Sequence, residues 1–187
     1  AKCCPKVMAH TPSGYRRIFG WDTAADSKEY MEFLSQYLPA ITSQLKEWGI
    51  AEQCRFHLSD EPTGEQLEHY LKLKKAVEPY LKGFVIMDAL SKYEFYEQGA
   101  VDQPVVALNH VQAYLDHHMS PLWVYYCVSQ GVGVSNRFMA MPSSRNRVLG
   151  FQLYLENAEG FLQWGFNFYN SDLSERRLNP YLHTDGN

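Results

Sequence analysis

Apolar residues first recur at helical spacing at Tyr30, Phe33, Leu34, Tyr37, Leu38, Ile41, Leu45 and Trp48, which predicts a long amphipathic helix over 27–48. Asp26 with Glu29 three positions later supplies a capping-box start, Pro39 removes one backbone donor midway, and Gly49 stands where a C-terminal cap belongs. The next stretch, Cys54 to Ser59, alternates as a strand: Cys54, Phe56 and Leu58 share one side, Arg55, His57 and Ser59 the other. Two acids follow, Asp60 and Glu61, then Pro62. Thr63 and Gln66 make a second capping box, and Leu67, Tyr70, Leu71, Leu73 and Val77 give the following helix its apolar side.

The alternation then repeats. GFVIMDA (83–89) and QPVVALN (103–109) read as strands buried on both faces, each ending in a polar group. HVQAYLDHH (110–118) predicts a short helix, PLWVYYCVS (121–129) a strand, NRVLGFQLYLENA (146–158) a helix and GFLQWGFNFYN (160–170) a last strand. Strand and helix in alternation predict an α/β fold with parallel strands and crossover helices, either a barrel or a doubly wound sheet. The barrel is favoured because polar residues gather at the ends of successive strands: Asp60 and Glu61, Asp88, Asn109 with His110, Ser129, then Asn167 and Asn170. Five strands, with one further candidate at Cys4 to Ala9, are fewer than a complete (β/α)8 TIM-type barrel needs. The expectation is therefore a partial barrel of later strands only, forming a single domain over 1–187.

Composition narrows the function. With 45% hydrophobic residues and a formal net charge of -4, the chain has the means for a core and no basic footprint for nucleic acid or an anionic membrane. No apolar run reaches the length of a membrane span, and AKCCPKVMAH has no signal-peptide core. Cys3 and Cys4 are adjacent, while Cys54 and Cys127 sit in apolar patterns. That fits a reducing, cytoplasmic compartment, with a secreted parent chain as the alternative.

Two carboxylates at a strand tip suit acid–base work when their surroundings separate their protonation, and Pro62 predicts an extended Glu61. The same pair also suits a helix start, with Asp60 as a cap. Trp123, Tyr125, Trp164 and Tyr169 offer flat apolar faces for stacking or, equally, core packing. Of the adjacent Tyr125 and Tyr126, one must face outward. Tyr93, Asp88 and Asn109 are candidate hydrogen-bonding groups, although Asp88 could begin a turn and Asn109 could cap the helix starting at His110. His117 and His118 diverge on one helix, so no metal is expected. The chain has no GxGxxG, Walker loop or Gly-x-Ser-x-Gly elbow, so no nucleotide cofactor or serine hydrolysis is expected.

SDEP after a short strand, the preceding FGWDTAADSKEYMEFLSQYLPAITSQLKEWGI, and the later RNRVLGFQLY and GFLQWGFNFYNSDLSERRLNPYLHTDG resemble the catalytic domain of glycoside hydrolase family 123, the β-N-acetylgalactosaminidases. The likeness runs from Phe19 to the C-terminus. It implies a (β/α)8 barrel whose first strands and accessory β-sandwich are absent from this chain. It also implies a carbohydrate substrate and a mechanism in which the substrate's own acetamido oxygen attacks the anomeric carbon. Glu61 then matches the general acid/base, and Asp60 the acid that orients the acetamide. Tyr93 is a candidate donor to the acetamide oxygen. The rivals are a non-catalytic carbohydrate-binding barrel and another barrel hydrolase that uses Asp60, Glu61 and His57. Open strand edges make a homo-oligomer the expected state of the isolated chain.

Overall fold

The computed structural model describes residues 2–138, 140–165, 176–179 and 181–182. A hairpin comes first: β1 (Val7–Thr11) pairs antiparallel with β2 (Gly14–Phe19). Gly14 closes its turn at φ +105°, a conformation that glycine adopts without steric cost, and Thr11 Oγ1 donates to Gly14 O at 2.7 Å. The sequence reading placed a possible barrel strand at Cys4 to Ala9. The segment instead pairs within its own hairpin and takes no part in the main sheet.

The hairpin is fixed by Phe19, whose ring lies 5.2 Å from Tyr30 and 5.3 Å from Phe33 at the start of α1 (Lys28–Glu47). α1 forms where its apolar spacing predicts and runs unbroken through Pro39, and Gly49 ends the segment at φ +70°. Its start differs from expectation. Ser27 is the N-cap, without a side-chain cap, and Asp26 instead meets Lys72 Nζ at 3.1 Å. That places the tether between α1 and α2 (Leu67–Val77), where it links two elements rather than closing one.

The central sheet has five parallel strands in the order β3 (Arg55–Phe56), β4 (Val85–Leu90), β5 (Gln103–Ala107), β6 (Trp123–Tyr125) and β7 (Gly160–Leu162). Each strand neighbours the next in sequence. A doubly wound sheet reverses direction at a switch point, whereas a barrel does not, so the order is that of a half-barrel. Between the strands lie α3 (Glu94–Glu97), α4 (Gln112–Asp116), α5 (Ser143–Arg147) and α6 (Leu149–Leu155). The helix expected over 146–158 thus starts three residues early, directly after Pro142, and is interrupted at Val148.

Side-chain parity divides the sheet into two faces. Ile86, Leu90, Val106, Val124 and Tyr126 pack with Leu38, Tyr70, Val77 and Tyr114 from the helices. Ala89, Val105, Ala107 and Tyr125 pack on the opposite face with Met87, Trp123, Cys127 and Leu162, forming the lining of the half-barrel. Tyr126 is thus the outward member of the tyrosine pair. All four cysteines are free, and among the described residues no helix is long and apolar enough to cross a membrane.

Candidate active site

The acid pair sits where β3 gives way to the turn before α2. The capping box read at Thr63 and Gln66 is present: Thr63 N donates to Gln66 Oε1 at 3.1 Å, opening a 3-10 turn (Gly64–Gln66) that leads into α2. Asp60 is therefore not needed as a helix cap. Glu61 departs from the expected extended conformation. Its φ is +40°, although Pro62 follows. Two tertiary contacts account for this: Glu61 N donates to Ala89 O at 3.0 Å, and Glu61 Oε1 accepts from the Tyr125 hydroxyl. A non-glycine residue at positive φ costs on the order of 1–3 kcal/mol, so these contacts hold a strained backbone in place. The turn is bound to β4 by its backbone and to β6 by its carboxylate.

Tyr125 reaches Glu61 from the lining face of β6. Burial, and after it the Glu61 carboxylate, raises the Tyr125 phenol well above its ordinary range, so it stays a donor. Asp60 lies at the surface, yet its carboxyl is also raised, first by loss of surrounding water and then by the charges of Glu61 and Asp88, with His57 acting in the opposite sense.

Asp88 is not on the rim. It shares the helix-facing side of β4 with Ile86 and Leu90 and is 1% exposed, beyond the reach of a ligand in the half-barrel. Its carboxylate accepts from Leu58 N at 3.0 and 3.2 Å, from Ser59 N at 3.4 Å and from the Tyr70 hydroxyl of α2, and it pairs with His57 Nδ1. The role expected for Asp88 as a sugar ligand or turn starter is thereby corrected: it anchors the end of β3 from behind. Sequence reasoning placed Tyr70 only in the apolar face of its helix and missed this bond. The alternation of VIMDAL carried the signal, since Asp88 has the parity of Ile86 and Leu90.

Other candidates are dispersed. Tyr93 packs edge-on to Tyr114 at 5.1 Å and stacks on His117 at 4.3 Å, within the outer aromatic layer rather than beside the acids. His117 Nδ1 also lies 2.7 Å from Ala113 O. Trp123 shares the lining face with Tyr125 but begins β6, two residues nearer the barrel floor, and packs on Gly160. Asn109 is exposed on the rim within a 3-10 turn (Leu108–His110). It caps no helix; its Oδ1 accepts from Gln130 Nε2 at 3.0 Å. Gln130 is buried and also accepts from Cys127 N at 2.6 Å, while the equally buried Asn136 donates to Cys127 O and Gln130 O. These two amides, missed from sequence, order the loop after β6. Trp164 is half-exposed just beyond β7. Tyr169, Asn167 and Asn170 lie outside the described residues.

A half-barrel with two adjacent acids at a strand tip, one held by a lining tyrosine, agrees with one family comparison: residues 2–186 match Glycoside hydrolase 123, catalytic domain. The chain belongs to this family. Comparison with curated proteins gives no match. Membership in the glycoside hydrolase 123 family makes a glycosidase the class of activity the site is read against, and it assigns nearly the whole chain to one catalytic domain.

Proposed function

We propose that the protein is a retaining β-N-acetylgalactosaminidase of TIM-barrel type that uses the substrate's own acetamide as nucleophile. The observation that carries this reading is the placement of the acids. Asp60 and Glu61 are adjacent at one strand tip, and a hydroxyl of the lining face, from Tyr125, is directed at Glu61. Enzymes with a carboxylate nucleophile set two carboxyls on opposite sides of the scissile bond, roughly 5 Å or more apart, and substrate-assisted families are the exception. Neighbouring acids suit a reaction whose nucleophile belongs to the substrate, so that no enzyme carboxylate has to face the leaving group across the anomeric carbon.

In the first step the acetamido oxygen of the sugar forms a bond to C1 as the C1–O bond to the leaving group breaks. Glu61 gives its proton to the departing oxygen, and Asp60 accepts the acetamide N–H and offsets the positive charge that develops on the ring so formed. In the second step water bonds to C1 and gives a proton to Glu61, while the bond from C1 to the acetamido oxygen breaks and its electron pair returns to that oxygen, restoring the acetamide. Two inversions at one carbon give net retention. Tyr125 fixes the direction of the Glu61 carboxylate, and Asn109 and Trp164 remain rim contacts for the sugar. Asp88 supports the site without touching substrate.

Hydrolysis of β-N-acetylgalactosaminides by the full-length protein tests the reading. General acid help counts most when the leaving oxygen is basic, so Glu61→Gln is expected to lower the rate about 10²–10⁴-fold on alkyl glycosides and much less on activated aryl glycosides. Equal losses on both substrates would remove Glu61 as the acid.

A further inference from the structure

A histidine ties the strand end that carries the acid pair to its anchor. His57 is at the end of β3, and its Nδ1 is paired with the wholly buried Asp88. Asp88 in turn is held by Leu58 N, Ser59 N and the Tyr70 hydroxyl, so the imidazole is tethered to a carboxylate that has no freedom to follow it elsewhere. The hydrogen bond that the ring donates to Asp88, ahead of the opposing effect of burial, raises the imidazole above its ordinary 6.5, and the charges of Asp88 and Asp60 and the Met87 carbonyl add to it. His57 and Asp60 line the same cavity between β3, α1 and the N-terminal segment.

The groups around Asp60 are few. Glu61 and His57 come from its own strand end, Asp88 from β4 and Tyr125 from β6. Cys4 and Tyr30 line the shared cavity, but burial pushes the thiol up to about 11 and the phenol up to about 12, so both stay neutral where a glycosidase is assayed. Of these groups, His57 alone can carry positive charge. Asp60 and Glu61 from one turn and Asp88 from β4 are like-charged neighbours, and a cation held beside Asp60 opposes their mutual repulsion there.

We propose that His57 is a positioning residue of the acid pair: tethered to the buried Asp88 and lining the same cavity as Asp60, it offers Asp60 a fixed positive neighbour and so favours the Asp60 carboxylate. This rests on the role given above to Asp60. It assigns to the Tyr70–Asp88–His57 chain a task beyond holding the strand, namely setting the charge of Asp60.

His57→Gln keeps a donor toward Asp88 and removes the charge. In the pH profile of kcat/KM for the full-length protein on an activated aryl substrate, the acidic limb is expected to move up by about 1 pH unit, the lower end of what an adjacent opposite charge exerts on a carboxyl. A lower rate with an unmoved limb would overturn the proposal, because a merely structural role scales the profile without shifting it. A second arm needs no activity. In the same protein, NMR titration is expected to show the His57 ring ionising above 6.5, and the Asp60 side-chain carbon titrating at higher pH in His57→Gln than in wild type. An ordinary His57 titration, or an unchanged Asp60, would overturn the coupling. If the full-length protein hydrolyses nothing, the proposed function falls while these titrations still decide whether His57 sets the charge of Asp60. Asp88→Asn is expected to return His57 toward 6.5, and should that variant fail to fold, the wild-type and His57→Gln arms remain decisive.

Discussion

Removing the Asp88 carboxylate leaves two backbone N–H groups, the Tyr70 hydroxyl and the His57 ring without their acceptor. The His57 ring is half-exposed, so the loss falls on the other donors; leaving a buried group without its acceptor costs about 1–3 kcal/mol each, and Asp88→Ala is expected to unfold in less denaturant than the wild type. Tyr70→Phe removes one hydrogen bond to a charged group, and a loss of about 1.5–3 kcal/mol is expected in the same measurement. The ion pair also has a pH signature. Folding raises the ionisation of His57, so its contribution is fully present below 6.5 and fades as pH rises through the elevated folded value. Urea midpoints of wild type and His57→Gln are expected to converge toward alkaline pH; a constant gap would show that the charge is not the source. In the proposed mechanism Asp60 offsets a charge that develops in the transition state, so Asp60→Asn is expected to lower kcat about 10²–10³-fold with little change in KM. At this scale the sequence disclosed the acids, because two like charges at a strand end stand out. It hid Asp88, because an acid in an apolar run reads as a strand end until parity is counted. It also hid the turn of Glu61, because bonds to Ala89 and Tyr125 override the preference set by Pro62.

Among the elements, β6 and β7 approach most closely through a residue with no side chain. A Cβ added to Gly160 would lie 2.2 Å from the Trp123 indole. Gly160→Ala must therefore displace the indole or part the strands, and an overpacking loss of about 1–3 kcal/mol is expected by thermal or denaturant unfolding. The indole thus packs across β6 and β7 on the lining face of the half-barrel. Elements with one dominant period were legible: α1 from its apolar stripe, α2 from its capping box, β4 and β5 from their apolar runs. The hairpin was not, because the alternation in VMAHT and GYRRIF has no consistent apolar face and most of it stays exposed. Nor was the loop between β6 and α5, whose order depends on the buried amides of Gln130 and Asn136 and on Arg145 donating to Gly131 O and Val134 O. Such long-range polar bonds leave no periodicity in a sequence.

For the whole molecule, the order of the strands was readable in outline, since alternating strands and helices with short connections leave few topologies. Among the described residues β3 pairs only with β4 and β7 only with β6, and α6 carries Phe151, Tyr154 and Leu155 largely in solvent. An open parallel sheet and an apolar helix face both favour association. Light scattering on the 187-residue chain is expected to give a mass above 21.6 kDa, and a stable monomer would show that the edges are sufficiently protected as they stand. The mechanism itself is tested most directly by a thiazoline analogue of N-acetylgalactosamine, which mimics the cyclised acetamide. The account predicts that it inhibits the full-length enzyme at least about 10²-fold more tightly than N-acetylgalactosamine does, as a transition-state mimic should, and that Asp60→Asn loses most of that gain. Hydrolysis that proceeds undisturbed by the thiazoline would contradict it.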